Sequence, residues 1–191
     1  MKFENCAVNG RSTKSFIAEK RLETIDEKLE QGDFLFIQFG HNDQKLEDPT
    51  RGTEPFGEYL DNLRTFTEVA KKNGATPVLL TPISRRDYLA NGLLNPDSLG
   101  LYPEAVRKFC EENSFVLLDT FLDTQKWLEG HTQVETKQFF LKGKSGELLN
   151  YPDGVDDDTH LNEEGAIKVA EIAANEIAKS SLDLKRYLVN N

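Results

Sequence analysis

Cysteine is scarce: Cys6 and Cys110 are the only two in 191 residues. That is too few for a disulfide framework or a structural zinc site, and it leaves reduced thiols that behave as small buried groups. Positive charge is short as well. Lys and Arg number 23 against 33 Asp and Glu, a formal charge of −10, whereas a phosphate-backbone binder needs concentrated positive charge to release counterions. Nucleic acid is disfavoured as a partner on that ground. No apolar run approaches the ~18–20 residues of a membrane span, and the opening M-K-F-E-N-C-A lacks the apolar stretch of a secretory signal. A cytoplasmic protein with no membrane partner is the expectation. Repeats and low-complexity tracts are also missing. What is present, 38% hydrophobic residues with 13 Gly and 7 Pro, suits one globular domain over residues 1–191.

Apolar runs of strand length alternate with segments of helical period, the pattern of an α/β domain with a parallel sheet. Four strands are expected: Lys2–Val8, Phe34–Phe39 (F-L-F-I-Q-F), Thr76–Thr81 (T-P-V-L-L-T) and Ser114–Asp119 (S-F-V-L-L-D). Helices are expected over Ser15–Gln31, Tyr59–Asn73, Tyr102–Asn113 and Glu163–Lys179. The second places Leu60, Leu63, Phe66 and Val69 together and stops at Gly74; the last is opened by Asn162 as N-cap. Near-continuous apolar strands imply a sheet covered on both faces. Two stretches lie outside this scheme, the polar Gln44–Gly57 and a long irregular insertion, Gln125–Pro152. Loops of that length commonly line a site.

In open parallel sheets the ligand sits beyond the carboxyl ends of the strands. The residues at those ends are polar here: A-V-N-G-R-S (Ala7–Ser12), G-H-N-D (Gly40–Asp43), P-I-S-R-R (Pro82–Arg86) and, before the last helix, D-D-D-T-H-L-N (Asp156–Asn162). Asp157 and His160 are three apart in a segment expected as a loop. One tight turn there lets the carboxylate accept from an imidazole nitrogen and leaves the other nitrogen as a general base. The same residues also read as solvated charges near a helix N-terminus beside a surface histidine. Asn42 offers an amide donor and Gly10 an unhindered backbone N–H, the makings of an oxyanion hole. Gly and Asn are equally the common residues of plain turns.

The ordered blocks N-x-A-V-N-G-R-S-x-x-S-F-I, G-D-F-x-F-I-Q-F-G-H-N-D, T-P-I-S-R-R and P-D-G-V-x-D-D-T-H-L-N-x-x-G-A resemble the rhamnogalacturonan acetylesterase branch of the SGNH (GDSL-like) hydrolases, from Asn5 to about Ala170. The resemblance implies a three-layer flavodoxin-like sheet ordered 2-1-3-4-5. It implies Gly10 and Asn42 as oxyanion donors and Asp157 and His160 as acid and base of a catalytic triad, the D-x-x-H spacing selecting Asp157 among three aspartates. It also implies an acetylated acidic oligo- or polysaccharide as substrate, hydrolysed through an acyl-enzyme without a cofactor.

One block departs from that pattern. The family's first, G-D-S with the nucleophilic serine, is absent, and with it the first, central strand. Omitting about four to six buried apolar side chains removes something like 6–18 kcal/mol, comparable to a domain's whole stability of ~5–15 kcal/mol. The expectation is an N-terminally truncated domain, in which either Met1 is not the true start or another segment or subunit fills the gap. The nucleophile then lies outside this chain, and the alternative is a catalytically inactive fragment or a non-catalytic saccharide binder. Ser12 and Ser84 follow strand ends, but the resemblance gives neither a nucleophilic role. G-H-N-D is similar to the G-N-H-D/E signature of binuclear metallophosphatases, yet its order is inverted and no upstream D-x-H or downstream G-H-x-H completes the ligand set, so no metal is expected. Arg11, Lys14, Arg85 and Arg86 are the basic residues of the expected active edge. Arg85 and Arg86 are candidates for binding substrate carboxylates bidentately, with local ion pairs as the competing use of their charge.

Overall fold

A computed structural model describes residues 2–189. They gather into two compact units. The first takes the chain up to Pro82, the segment Leu99–Asp119 and the tail from Ser180; the second takes Ile83–Ser98 and Thr120–Lys179.

The first unit carries helices α1 (Thr13–Ala18), α2 (Arg21–Asp26), α3 (Glu58–Lys72) and α4 (Tyr102–Asn113) around strands β1 (Phe34–Gln38), β2 (Thr76–Leu80) and β3 (Val116–Leu118). The strands form a parallel sheet in the order β1-β2-β3, with Ile37 opposite Leu79 and Leu79 opposite Leu117. Parallel strands need long crossovers, and the helical segments supply them. Ile37 and Leu79 share one apolar cluster with Phe16, Leu22, Leu63, Phe66, Val106 and Phe109, so helix stripes and alternate strand residues meet as the sequence period requires. Along α3 the buried stripe is Tyr59, Leu63, Phe66 and Ala70. It is rotated from the expected one, because Leu60 and Val69 are only partly buried.

Three expectations for this unit need correction. Lys2–Val8 is irregular rather than a strand, because among the described residues no strand pairs with it. The single helix expected over Ser15–Gln31 is two short ones, broken where Lys20 turns left-handed at φ 59°. The sheet is covered on both faces at β2, whose Pro77–Leu80 are all buried, but not at β1. There Phe36 is 38% exposed and Gln38 is exposed too, as befits an edge strand.

The second unit holds α5 (Thr120–Glu129), β4 (Phe140–Gly143), β5 (Val155–Leu161) and α6 (Glu163–Lys179). The insertion expected to be irregular over Gln125–Pro152 is in fact much of its framework. Trp127 packs against Phe139 with ring centroids 4.7 Å apart and planes tilted by 50°, and Leu94, Leu128, Phe139 and Phe140 make a separate apolar cluster that orders the segment. The aspartate-rich stretch, expected as a loop, is strand β5, antiparallel to β4. Asn162 does cap α6 as expected, its Oδ1 accepting from Gly165 N at 3.0 Å.

Candidate active site

The first unit presents Gly10 and Asn42. Gly10 has φ +78° with open space where a Cβ would stand, so the left-handed turn itself, not crowding, favours glycine. Asn42 Nδ2 donates to Arg11 O at 3.3 Å, which ties the asparagine to the residue after Gly10 and leaves its second amide hydrogen to give elsewhere. Ser12 is fully buried and caps α1 in a reciprocal box with Ser15, Ser12 Oγ accepting from Ser15 N and Ser15 Oγ from Ser12 N.

Asp43, next to Asn42, is fully buried. Its Oδ1 accepts from Thr13 N at 3.0 Å, from Thr13 Oγ1 and from Thr53 Oγ1 at 3.0 Å. A carboxylate on the first turn of a helix satisfies an orphan N–H and faces the positive end of the dipole. Burial nevertheless pushes the Asp43 carboxyl above its usual range, against these hydrogen bonds. Tyr102 donates to both Asp43 O and Thr53 O, closing the base of the polar Gln44–Gly57 loop.

The second unit presents Asp157 and His160. Asp157 Oδ2 accepts from His160 Nδ1 at 2.7 Å, and Oδ1 accepts from the backbone N–H groups of Thr159 at 2.7 Å and His160 at 2.9 Å. This is the tight turn the spacing predicts, set inside a strand. From the Lys142–Asp156 pair to the Phe140–Leu161 pair, β4 moves two residues while β5 moves five. Residues 157–160 therefore bulge out of the ladder, a feature that recurs beside active sites because it re-aims side chains. Burial raises the Asp157 carboxyl, but its hydrogen bonds from His160 and Thr159 and the nearby His160 charge outweigh that and hold it below its usual range. The flanking aspartates are used differently. Lys142 on β4 pairs with both Asp156 and Asp158, a role invisible in sequence because only the antiparallel pairing brings it there.

The two arginines part company. Arg86 is 6% exposed and its guanidinium bonds Asp158, Thr136 and the Gln133 carbonyl, so it is turned inward. Arg85 is half-buried and donates to Thr159 Oγ1. Burial pulls its pKa down, against the charges of Asp157 and Asp87. Ser84 is buried, its Oγ donating to Arg85 O at 3.1 Å. Among the described residues no group of three or more His, Cys, Asp or Glu side chains is placed to hold a metal ion, and no helix is long and apolar enough to cross a membrane.

A parallel sheet flanked by helices is the α/β architecture that the sequence resemblance implies. The chain belongs to the GDSL-like lipase/acylhydrolase family, which matches over residues 1–166. It is similar to the rhamnogalacturonan acetylesterase RhgT of Bacillus subtilis, 40% identical over 186 residues that span 97% of this chain and 78% of that protein. Among solved structures, the YxiM protein of Bacillus subtilis has the same fold, with a TM-score of 0.77 at 22% identity over 95% of this chain; the match spans only 47% of that longer chain. Axe2, an acetylxylan esterase from Geobacillus stearothermophilus, matches with a TM-score of 0.61 at 16% identity, covering 88% of this chain and 68% of its own.

Proposed function

We propose that this chain is the His-Asp and oxyanion-hole portion of a carbohydrate esterase that removes O-acetyl groups from a pectic, rhamnogalacturonan-type saccharide. The observation that carries the reading is the Asp157–His160 hydrogen bond at 2.7 Å in a chain 40% identical to RhgT along almost its whole length. In this reading a serine from outside the 191 residues attacks the acetyl carbonyl, and His160 Nε2 takes its proton. Asp157 holds the tautomer and stabilises the imidazolium. Gly10 N–H and Asn42 Nδ2 donate to the oxyanion. Collapse of the tetrahedral intermediate expels the sugar alkoxide, which the His160 imidazolium protonates to the free hydroxyl, and water then releases acetate from the acyl-serine. The reaction so drawn uses no cofactor. Of the two arginines, Arg85 is the less buried and is the candidate to meet a galacturonate carboxylate.

The absence of any G-D-S in the sequence favours a second reading for the 191 residues by themselves, that they bind acetylated saccharide without cleaving it. One experiment separates the two. The 191-residue chain and a form extended upstream through an in-frame G-D-S are assayed for acetate release from p-nitrophenyl acetate and from acetylated rhamnogalacturonan. Hydrolysis by the extended form, abolished by His160→Ala, supports the esterase. Undiminished hydrolysis after that substitution removes the triad assignment, and saccharide binding with no hydrolysis by either form supports the binder.

A further inference from the structure

We propose that Arg86 is a positioning residue that holds the bulge carrying Asp157 and His160, rather than a ligand for substrate; the inference rests on reading His160 as the base. Residues 157–160 have no partners in the β4–β5 ladder, so their geometry depends on other bonds. Two come from within, the Thr159 and His160 amides donating to Asp157. From outside, Arg85 reaches the Thr159 hydroxyl, and Asp158, in the middle of the bulge, is held by Arg86. Its backbone N–H donates to Asp158 O at 2.9 Å and its Nη1 to Asp158 Oδ1 at 2.8 Å, so both the main chain and the side chain of Asp158 are fixed.

The guanidinium is itself anchored on its other edges. Nε donates to Thr136 Oγ1 at 3.0 Å and Nη2 to Gln133 O at 2.7 Å. Tyr88 lies under the group, 5.2 Å from ring centroid to guanidinium carbon, and its hydroxyl shares Thr136 Oγ1. One planar fork thus ties the 133–136 segment to the centre of the bulge. Lysine, a point donor without fixed directions, cannot serve three acceptors so spread. Lys142 also reaches Asp158, but it engages only the carboxylate. Asp158 is next to Asp157, so a shift there turns the peptide that aims the Asp157 carboxylate at His160.

The test reads His160 directly and needs no hydrolysis. Long-range ¹H–¹⁵N spectra of the three histidines, with His160 assigned from its loss in His160→Gln, report the imidazole tautomer and the Nδ1–H bonded to Asp157. The wild type is expected to show the Nδ1–H form. Arg86→Met and Arg86→Lys, folded by circular dichroism, are expected to lose that signal or move to mixed tautomers, whereas Lys168→Gln, exposed on α6 and paired with Glu171, keeps it. An unchanged His160 signal in a folded Arg86→Met overturns the proposal. If that variant does not fold, Asp158→Ala decides, and an unchanged signal there is equally fatal. In the G-D-S-extended form Arg86→Lys is expected to lower kcat by roughly 10- to 100-fold with KM for the acetyl ester little altered. An extended form that never hydrolyses esters would sink the esterase reading while leaving the tautomer result to stand on its own.

Discussion

Asp157 binds His160 twice, through the imidazole at Oδ2 (2.7 Å) and through the backbone amide at Oδ1 (2.9 Å). The carboxylate therefore sets the position of the histidine backbone as well as the orientation of its ring. In the extended form, Asp157→Asn is expected to keep the turn, since an amide oxygen still accepts from the backbone, but to lose the ring orientation. A fall in kcat of roughly 10⁴-fold follows from the wrong tautomer, measured on p-nitrophenyl acetate. Because the Asp157 carboxyl is held below its usual value of 3.8, acid above that pH should not protonate it. Its contribution to stability is present above that value and is lost only as the pH falls through the depressed one.

Asn42 sits one residue from a buried carboxylate that anchors the loop, and its own amide is tied to Arg11 O. Asn42→Ala in the extended form should lower kcat by about 10²–10³-fold with a small change in KM, the signature of a lost oxyanion donor. A large rise in KM with kcat unchanged would place Asn42 in ground-state binding instead.

Asp43 runs opposite to Asp157 in its pH dependence. Burial raises its carboxyl above the usual 3.8, so between that value and the raised one the native state keeps a proton that the unfolded chain has released. Its contribution to stability therefore falls as the pH rises through that window. Urea denaturation of wild type and Asp43→Asn from pH 4 to 7 should show a flatter profile for the variant; parallel profiles would contradict the assignment.

Gly165 is close to a carbonyl where a side chain cannot go. A Cβ there would stand 2.1 Å from Phe139 O, just where Asn162 N donates to the same carbonyl at 3.2 Å. Alanine is the better helix former by about 1 kcal/mol. Gly165→Ala should nonetheless destabilise, by roughly 1–3 kcal/mol as for other overpacking changes, seen as a lower urea midpoint at unchanged m-value.

Arg85 is the remaining test of substrate charge. Arg85→Gln is expected to weaken binding of an acidic oligosaccharide more than hydrolysis of p-nitrophenyl acetate in the extended form. Equal losses on both would remove Arg85 as a ligand for the substrate carboxylate.

Periodicity and capping chemistry determined much of this molecule from the sequence alone. The helices Tyr102–Asn113 and Glu163–Lys179, the Asn162 cap and the three parallel strands are legible because each depends on neighbours within a turn or on a continuous apolar run. The Asp157–His160 pair was legible for the same reason, being a contact across three residues. Tertiary structure decided the rest, where the partner is far along the chain. Lys2–Val8 is not a strand because a strand exists only with a neighbour. The aspartate segment is a bulged strand because β4, in a stretch without a clear period, pairs with it. Arg85 and Arg86 are adjacent and chemically alike, yet the fold buries Arg86 against Asp158, Thr136 and Gln133 and leaves Arg85 half-buried beside Thr159, a distinction that depends on which face of the chain the fold covers.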